Sequence, residues 1–364
     1  MSTDASKKLV IAAGGTGGHM FPAQALGEAL RAEGWKVVLM TDVRGRKHVK
    51  WLDDNDIFIV EATSISPRKP LQALRGLVIL GRGTRTAKAI MRKWQPDVVA
   101  GFGGYPAFPA LRAAKALNIP YVLHEQNTVL GRVNRVFAKG AHTVATGFDT
   151  AELLHPSTHH FPTGNPLRQQ ILEAIPDSYS APGQGEIRLL IVGGSPGARI
   201  IAQVVPKAIA LLPEGIRRRL RVVQQTTEGE LERARLQYKA AGVKAELATF
   251  FGDIQDHLAR AHLVIGRAGA SSVSEFAAMG VPTILVPLAI AMDDHQTVNA
   301  STLSGPGAAV VMLESAFTPE ALADVLKERL TDDTWLESAA RAARATAKPD
   351  ATARLVELVK SVAR

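Results

Sequence analysis

The stretch Leu9-Val10-Ile11-Ala12-Ala13-Gly14-Gly15-Thr16-Gly17-Gly18-His19-Met20-Phe21-Pro22 decides the fold. Five apolar residues run into a glycine cluster, and Ala23, Leu26, Ala29 and Leu30 then recur at helical spacing. That pattern predicts a buried strand, a tight loop and a helix N-terminus. Glycines there let a ligand approach the backbone, and the free N–H groups of the first helical turn attract an anion. After Gly15-Thr16-Gly17 a dinucleotide fingerprint would place its third glycine at Met20, and no Gly-Lys-Ser/Thr follows as in a Walker A loop. The loop therefore points to a phosphate or diphosphate without nicotinamide or ATP. A turn that only starts a helix is the plainer reading.

Outward from this unit, strands and helices alternate. Lys36 to Met40 reads as a strand, a polar helix is expected around Arg46 to Leu52, and Ile57 to Val60 is a further strand. Val98 to Ala100 ends in Gly101-Phe102-Gly103-Gly104, which feeds a helix at Ala110 to Leu117, and Tyr121 to Leu123 runs into His124-Glu125-Gln126-Asn127. The pattern breaks near Phe161 to Pro166 and restarts at Arg188 to Val192, with a second glycine loop, Gly193-Gly194-Ser195-Pro196-Gly197, before an apolar helix. Further strands are expected at Leu220 to Val223, Ala245 to Thr249, Leu263 to Ile265 and Thr283 to Val286. Alternation of this kind predicts α/β architecture: two doubly wound, Rossmann-like parallel sheets, with ligands beyond the carboxyl ends of the strands. The expected domains are 1–164 and 165–345, followed by a C-terminal helix in 346–364; the pattern does not give its partner, and packing back on the first domain is one option.

A chain of 364 residues, 46% hydrophobic and 21% charged, is long enough for two ordinary globular cores. It has no cysteine, so neither disulfides nor thiolate metal sites arise. The apolar run at Leu9 is too short for a signal or membrane span, and a cytoplasmic protein is expected. The net charge of +9 is concentrated: Arg68, Lys69, Arg75, Arg82, Arg85, Lys88, Arg92 and Lys93 occur without an intervening acid, and the rest of the chain sums to only +1.

Each candidate site has a plain structural alternative. Gly193-Gly194-Ser195-Pro196-Gly197 matches the nucleophile elbow of α/β-hydrolases, with Asp293, Asp294 and His295 downstream. That elbow needs the N–H after the serine for its oxyanion hole, and Pro196 has none. Ser195 then reads as a phosphate contact or a simple helix cap. In Gly266 to Glu275, Ser272 and Glu275 have capping-box spacing, while Ala270 and Ser271 leave room for a phosphate and Glu275 could accept from ribose hydroxyls. Asp54-Asn55-Asp56 is read as a solvated turn and His159-His160 lack ligand spacing, so no protein-bound metal is expected. Leu71, Leu74, Leu77, Val78 and Gly81 recur at helical spacing. They form either a core stripe or, with Ile79, Leu80, Arg75, Arg82 and Arg85, a basic amphipathic segment on an anionic membrane. Nucleic acid is disfavoured, because aromatic residues are absent until Trp94.

Taken together, Gly14 to His19 with Pro22-Ala23, Gly103-Gly104-Tyr105, His124 to Asn127, Gly164-Asn165-Pro166 with Arg168, Gly193-Gly194-Ser195, Arg267 to Ala270 with Ser274-Glu275, and His295-Gln296 with Asn299-Ala300 resemble the MurG family. These are the N-acetylglucosaminyltransferases that complete lipid II, and the likeness extends from about residue 9 to 300. It implies a GT-B fold, two domains facing across a cleft, with UDP-GlcNAc as donor and no resident cofactor. Arg168, Ser195, Ile254, Ala270, Ser271, Glu275 and Gln296 would contact the donor, joined by Asn127. Thr16, Gly17, Gly18 and His19 would face the acceptor, the undecaprenyl-diphosphate-linked MurNAc-pentapeptide called lipid I. His19 and Glu125 are the candidate general bases. The resemblance also implies a peripheral protein on the cytoplasmic face of the inner membrane. Another UDP-sugar glycolipid transferase of the same fold is the related alternative. Two departures stand out: Pro196 replaces the usual Gln, and the loop Leu288 to Asp294 is longer by about a residue.

Overall fold

The computed structural model describes residues 6–15, 17–47, 49–64, 70–193 and 198–364. The chain divides into two compact units, Met1–Arg168 with Lys348–Arg364, and Gln169–Ala347.

The first unit runs β1 (Lys8–Ala12), α1 (Gly17–Ala32), β2 (Lys36–Thr41), α2 (Val43–Arg46), β3 (Ile57–Ile59), α3 (Pro70–Trp94), β4 (Val98–Gly101), α4 (Gly104–Ala116), β5 (Tyr121–Glu125), α5 (Arg132–Ala138), β6 (Thr143–Thr146) and β7 (His160–Phe161). Among the described residues its sheet has the order β3-β2-β1-β4-β5-β6-β7, parallel throughout. Strand alternation assigns the faces. Val10 and Ala12 pack with Ala87 and Met91 of α3, Ala107 and Leu111 of α4 and Phe137 of α5. Leu9 and Ile11 pack with Met20, Leu26 and Leu30 of α1 on the other face.

The second unit runs α6 (Gln169–Glu173), β8 (Ile187–Val192), α7 (Ala198–Leu211), α8 (Glu214–Arg219), β9 (Leu220–Gln225), α9 (Glu228–Ala240), β10 (Lys244–Ala248), α10 (Ile254–Arg260), β11 (Leu263–Gly266), α11 (Ala270–Met279), β12 (Thr283–Leu285), α12 (His295–Ser304), β13 (Ala309–Val311), α13 (Pro319–Arg329) and α14 (Asp333–Thr346). Its described strands form the parallel sheet β10-β9-β8-β11-β12-β13. Ile187, Leu189 and Ile191 form the core of one face with Ile201 and Val205 of α7, Tyr238 of α9 and Leu326 of α13. The last helix, α15 (Ala351–Val362), belongs to the first unit, where Leu355, Val356, Val359 and Val362 complete the core beside α1.

Two local expectations are corrected. The helix expected at Arg46 to Leu52 is instead the short α2, started at Val43 because the Asp42 carboxylate accepts from Gly45 N at 2.8 Å. The chain then leaves the helix so that Val49 and Leu52 enter the core and Trp51 lies on Gly27 of α1. Helix α4 starts at Gly104, well before Ala110. Pro106 is tolerated in its first turn, where a helical N–H has no partner to lose.

Candidate active site

In the first unit the strand order reverses between β1 and β4, where doubly wound sheets bind their ligands. The glycine loops that follow these two strands meet there. Gly15 has φ +88°, and a Cβ on Gly14 would stand 2.6 Å from Pro106 Cβ and 2.9 Å from Asp42 Oδ1. Asp42, buried, accepts from Gly15 N at 3.3 Å as well as from Gly45 N, so one carboxylate ties the first loop to α2. From the other side, Gly103 and Gly104 both have positive φ, and a Cβ on Gly104 would lie 3.4 Å from His19 Nε2. Gly17, Gly18 and His19 are the first three residues of α1. Thr16 lies outside the described residues.

A buried polar cluster at the end of β5 holds the histidine. His19 Nδ1 is 2.9 Å from Gln126 Oε1, and the Gln126 amide nitrogen is 3.0 Å from His124 Nδ1 and 3.2 Å from the His124 carbonyl. His124 Nε2 in turn meets the Gly164 carbonyl at 3.1 Å. His124 stacks at a tilt on Phe102, and burial lowers its pKa to about 4 despite the opposing effect of the Gly164 hydrogen bond. It is neutral at any physiological pH.

Glu125, the other candidate base, has a different task. It is 2% exposed, and its oxygens accept from Asn127 N at 3.1 Å, Asn127 Nδ2 at 3.2 Å, Gly131 N at 2.8 Å and Asn134 Nδ2 at 2.8 Å. With both oxygens engaged by its own loop, it orders the segment that carries Asn127. Arg168, the last residue of the unit before the chain enters the second, stacks over the Phe21 ring at 5.1 Å, one turn beyond Gly17.

In the second unit the reversal falls between β8 and β11. The loop after β8 carries Ser195 and Pro196, which lie outside the described residues. After β11, α11 opens at Ala270 with Gly269 as its cap and no side-chain cap hydrogen bond. The capping box expected of Ser272 and Glu275 is therefore corrected: Ser272 is already the third helical residue. Ala270, Ser271 and, one turn on, Glu275 sit on the opening turns, where the helix dipole favours a diphosphate. Ser271 Oγ is buried with no hydrogen-bond partner. Ile254 opens α10 and Gln296 is second in α12, both helices packing beside α11. Gln296 Oε1 accepts from Leu288 N at 3.0 Å. Two buried residues of the quoted motifs, not assigned as site residues from sequence, frame this ring. Arg267 donates to the carbonyls of Val286 and Pro287 and pairs with Glu314 at 2.5 Å, while Asn299 donates to the Ala268 carbonyl at 3.1 Å. Asp42, His124 and Gln126 were likewise missed as site residues. Their signal was a polar residue at the carboxyl end of a buried strand.

Helix α3 fixes which residues of the basic stretch are buried. Leu74, Leu77 and Val78 are 62%, 58% and 51% exposed, so they are no core stripe. The core side is Gly76, Leu80, Gly83, Ala87 and Met91. Leu80 is thereby corrected from surface patch to core, Ile79 is half-buried, and Arg75, Arg82 and Arg85 are exposed. On α5, which packs on the same sheet face, Arg132 and Val136 are also exposed, as is its C-cap Lys139. Among the described residues no helix is long and apolar enough to cross a membrane, and no three His, Asp or Glu side chains gather as a metal site would require.

Two Rossmann-like units, each with glycine-rich or helix-opening loops at the reversal of its strand order, define a glycosyltransferase of the GT-B class. Residues 9–146 match the glycosyltransferase family 28 N-terminal domain and residues 188–355 its C-terminal domain, and the chain belongs to that family. It is 48% identical over 356 residues to the UDP-N-acetylglucosamine--N-acetylmuramyl-(pentapeptide) pyrophosphoryl-undecaprenol N-acetylglucosamine transferase of Maricaulis maris, 97% of each chain being covered. The transferase of the same name from Caulobacter vibrioides is 44% identical, over 99% of this chain and all of that one. The crystal structure of Acinetobacter baumannii MurG matches with a TM-score of 0.79 at 31% identity, covering 98% of this chain and 99% of that one.

Proposed function

We propose that the protein transfers GlcNAc from UDP-GlcNAc to the 4-hydroxyl of MurNAc in lipid I, giving lipid II and UDP. The observation that carries this reading is the full-length likeness to transferases named for that reaction, together with the retention of both strand-reversal sites. In the second unit the opening of α11 at Ala270 and Ser271 receives the donor diphosphate. Glu275 accepts from the ribose, Ile254 meets uracil through its backbone, and Gln296 contacts the sugar nucleotide. Ser195, Arg168 and Asn127 are further donor contacts. In the first unit Thr16, Gly17 and Gly18 cradle the acceptor diphosphate through backbone N–H groups.

His19 is the general base. Its Nε2 takes the proton of the 4-hydroxyl as that oxygen forms a bond to C1 of GlcNAc. The bond from C1 to the diphosphate breaks with inversion, and the electron pair leaves on UDP. Charge on the departing diphosphate falls on helix-terminal N–H groups, a stabilisation that needs no resident metal. The exposed leucines and arginines of α3, extended by Arg132 and Val136 of α5 and its C-cap Lys139, hold the first unit on an anionic bilayer. There the lipid-linked acceptor resides, on the cytoplasmic face of the inner membrane.

The test is transfer of labelled GlcNAc to a soluble lipid I analogue. The protein is expected to catalyse it, His19→Ala to lose at least roughly a hundredfold in kcat, and UDP-GlcNAc to outcompete UDP-galactose. No transfer by the unmodified chain refutes the reading, and preference for UDP-galactose redirects it to a different glycolipid. Covalent capture of Ser195 by a fluorophosphonate would instead revive the hydrolase elbow.

A further inference from the structure

The hydrogen-bond chain behind His19 fixes where every proton in it lies. A backbone carbonyl only accepts, so His124 Nε2, 3.1 Å from Gly164 O, must carry hydrogen. A neutral imidazole has one N–H, and burial with a pKa near 4 keeps His124 neutral, so its Nδ1 is bare and accepts. The Gln126 amide has two hydrogens and two acceptors facing one end, His124 Nδ1 at 3.0 Å and the His124 carbonyl at 3.2 Å. That end is therefore the NH₂, and Gln126 Oε1 faces His19. An amide oxygen also only accepts, so His19 Nδ1 carries hydrogen and, in the neutral ring, its Nε2 holds the lone pair.

We infer that the Gly164 carbonyl, acting through His124 and Gln126, selects the tautomer of His19 in which Nε2 is the free base, and that His124 and Gln126 are positioning residues for the proton transfer. This rests on the proposed role of His19. A free neutral imidazole favours the opposite tautomer, with hydrogen on Nε2, which has nothing to offer an alcohol proton. The relay is held at each link. Thr163 Oγ1 donates to Gly164 O at 3.0 Å, Asn165 Nδ2 donates to Gln126 O at 3.0 Å, and Asn134 Nδ2 donates to His124 O at 3.3 Å. Gly164 itself has φ +90°, and a Cβ there would stand 2.8 Å from Lys348 Cβ. His124 and Gln126 are 1% and 2% exposed, so neither reaches a substrate. Their effect on the reaction passes through His19.

The experiment reads the tautomer directly, from the ring-nitrogen chemical shifts of His19 in the full-length, substrate-free protein carrying isotope-labelled histidine. His19→Gln identifies the signal. The unmodified protein is expected to show a protonated Nδ1 and a bare Nε2 at pH 7.5. Gln126→Ala should move His19 toward the Nε2–H form and lower kcat roughly a hundredfold, with KM for UDP-GlcNAc within about twofold, since no donor contact changes. His124→Gln, whose amide can both accept from the Gln126 NH₂ and donate to the Gly164 carbonyl, should keep the original tautomer and most of kcat. An Nε2–H tautomer in the unmodified protein, or a tautomer indifferent to Gln126→Ala, overturns the inference. So does an equal fall in kcat for His124→Gln with the His19 tautomer intact. Absence of GlcNAc transfer alongside the expected shifts would strike the reaction assigned to the protein and leave the tautomer relay standing.

Discussion

Burying a histidine turns its protonation into a force for unfolding, and His124 is buried with its pKa lowered from 6.5 to about 4. Between these values the unfolded chain binds a proton that the folded chain refuses. The contribution of His124 to stability is therefore complete above about pH 6.5 and is lost as pH falls toward 4. By pH 4.5 the loss amounts to about 2–3 kcal/mol. Urea unfolding at pH 7.5 and pH 4.5 should show a smaller difference for His124→Asn than for the unmodified protein, and an equal difference would contradict the assignment. Glu125 makes the opposite kind of prediction. Glu125→Ala removes the carboxylate that accepts from Gly131 N, Asn127 N and the Asn127 and Asn134 side-chain amides. It should cost about 2–3 kcal/mol, read as a lower urea midpoint with an unchanged slope. A loss of kcat without loss of stability would return Glu125 to the list of bases.

Helix α3 shows why a helical period can be read from sequence while its buried face stays open. Two stripes run along it, one of Leu74, Leu77 and Val78, the other of Gly76, Leu80, Gly83, Ala87 and Met91. Hydrophobicity favours the first as core, but close approach favours the second. A Cβ on Gly83 would stand 2.0 Å from the Glu61 carbonyl and 3.2 Å from Pro109 of α4, so the helix lies flat on its glycine side. The larger side chains are left to the surface. Leu77→Glu with Val78→Glu should abolish binding to anionic vesicles and leave the thermal midpoint within a degree or two, because neither residue packs in the core. Leu80→Ala should do the reverse, costing about 2–5 kcal/mol while vesicle binding persists. If the paired glutamates unfold the protein, or bind as well as before, α3 is not the membrane surface. On α11 the misreading was of a boundary. Ser272 and Glu275 have capping-box spacing, but Gly269 already opens the helix, and short-range spacing does not encode where a preceding strand ends.

At the scale of the molecule, the doubly wound pattern was legible because each unit repeats strand, glycine loop and helix, and the buried strands read as unbroken apolar runs. The ligand loops beyond the carboxyl ends of the strands follow from that pattern, whereas the strand order that sets them at a reversal does not. The buried relay behind His19 does not, since Gly164 and His124 are 40 residues apart and meet only through the fold. The same holds for α15. Its apolar stripe marks an amphipathic helix but carries no address in itself, and it joins the core of the first unit although the second precedes it in the chain. Leu355, Val356, Val359 and Val362 are each less than 8% exposed there, beside Leu9, Ile11 and Leu26. Burying four such side chains contributes about 6–12 kcal/mol as an upper figure, comparable with the about 5–15 kcal/mol that holds a whole domain folded. Ending the chain after Ala347 should therefore unfold residues 1–168 and spare 169–347. Limited proteolysis is expected to yield a resistant fragment of the second unit that still binds UDP-GlcNAc, while the first is digested and transfer is lost. A truncated protein in which both units resist protease would show that α1 and the sheet close that core without the returning helix.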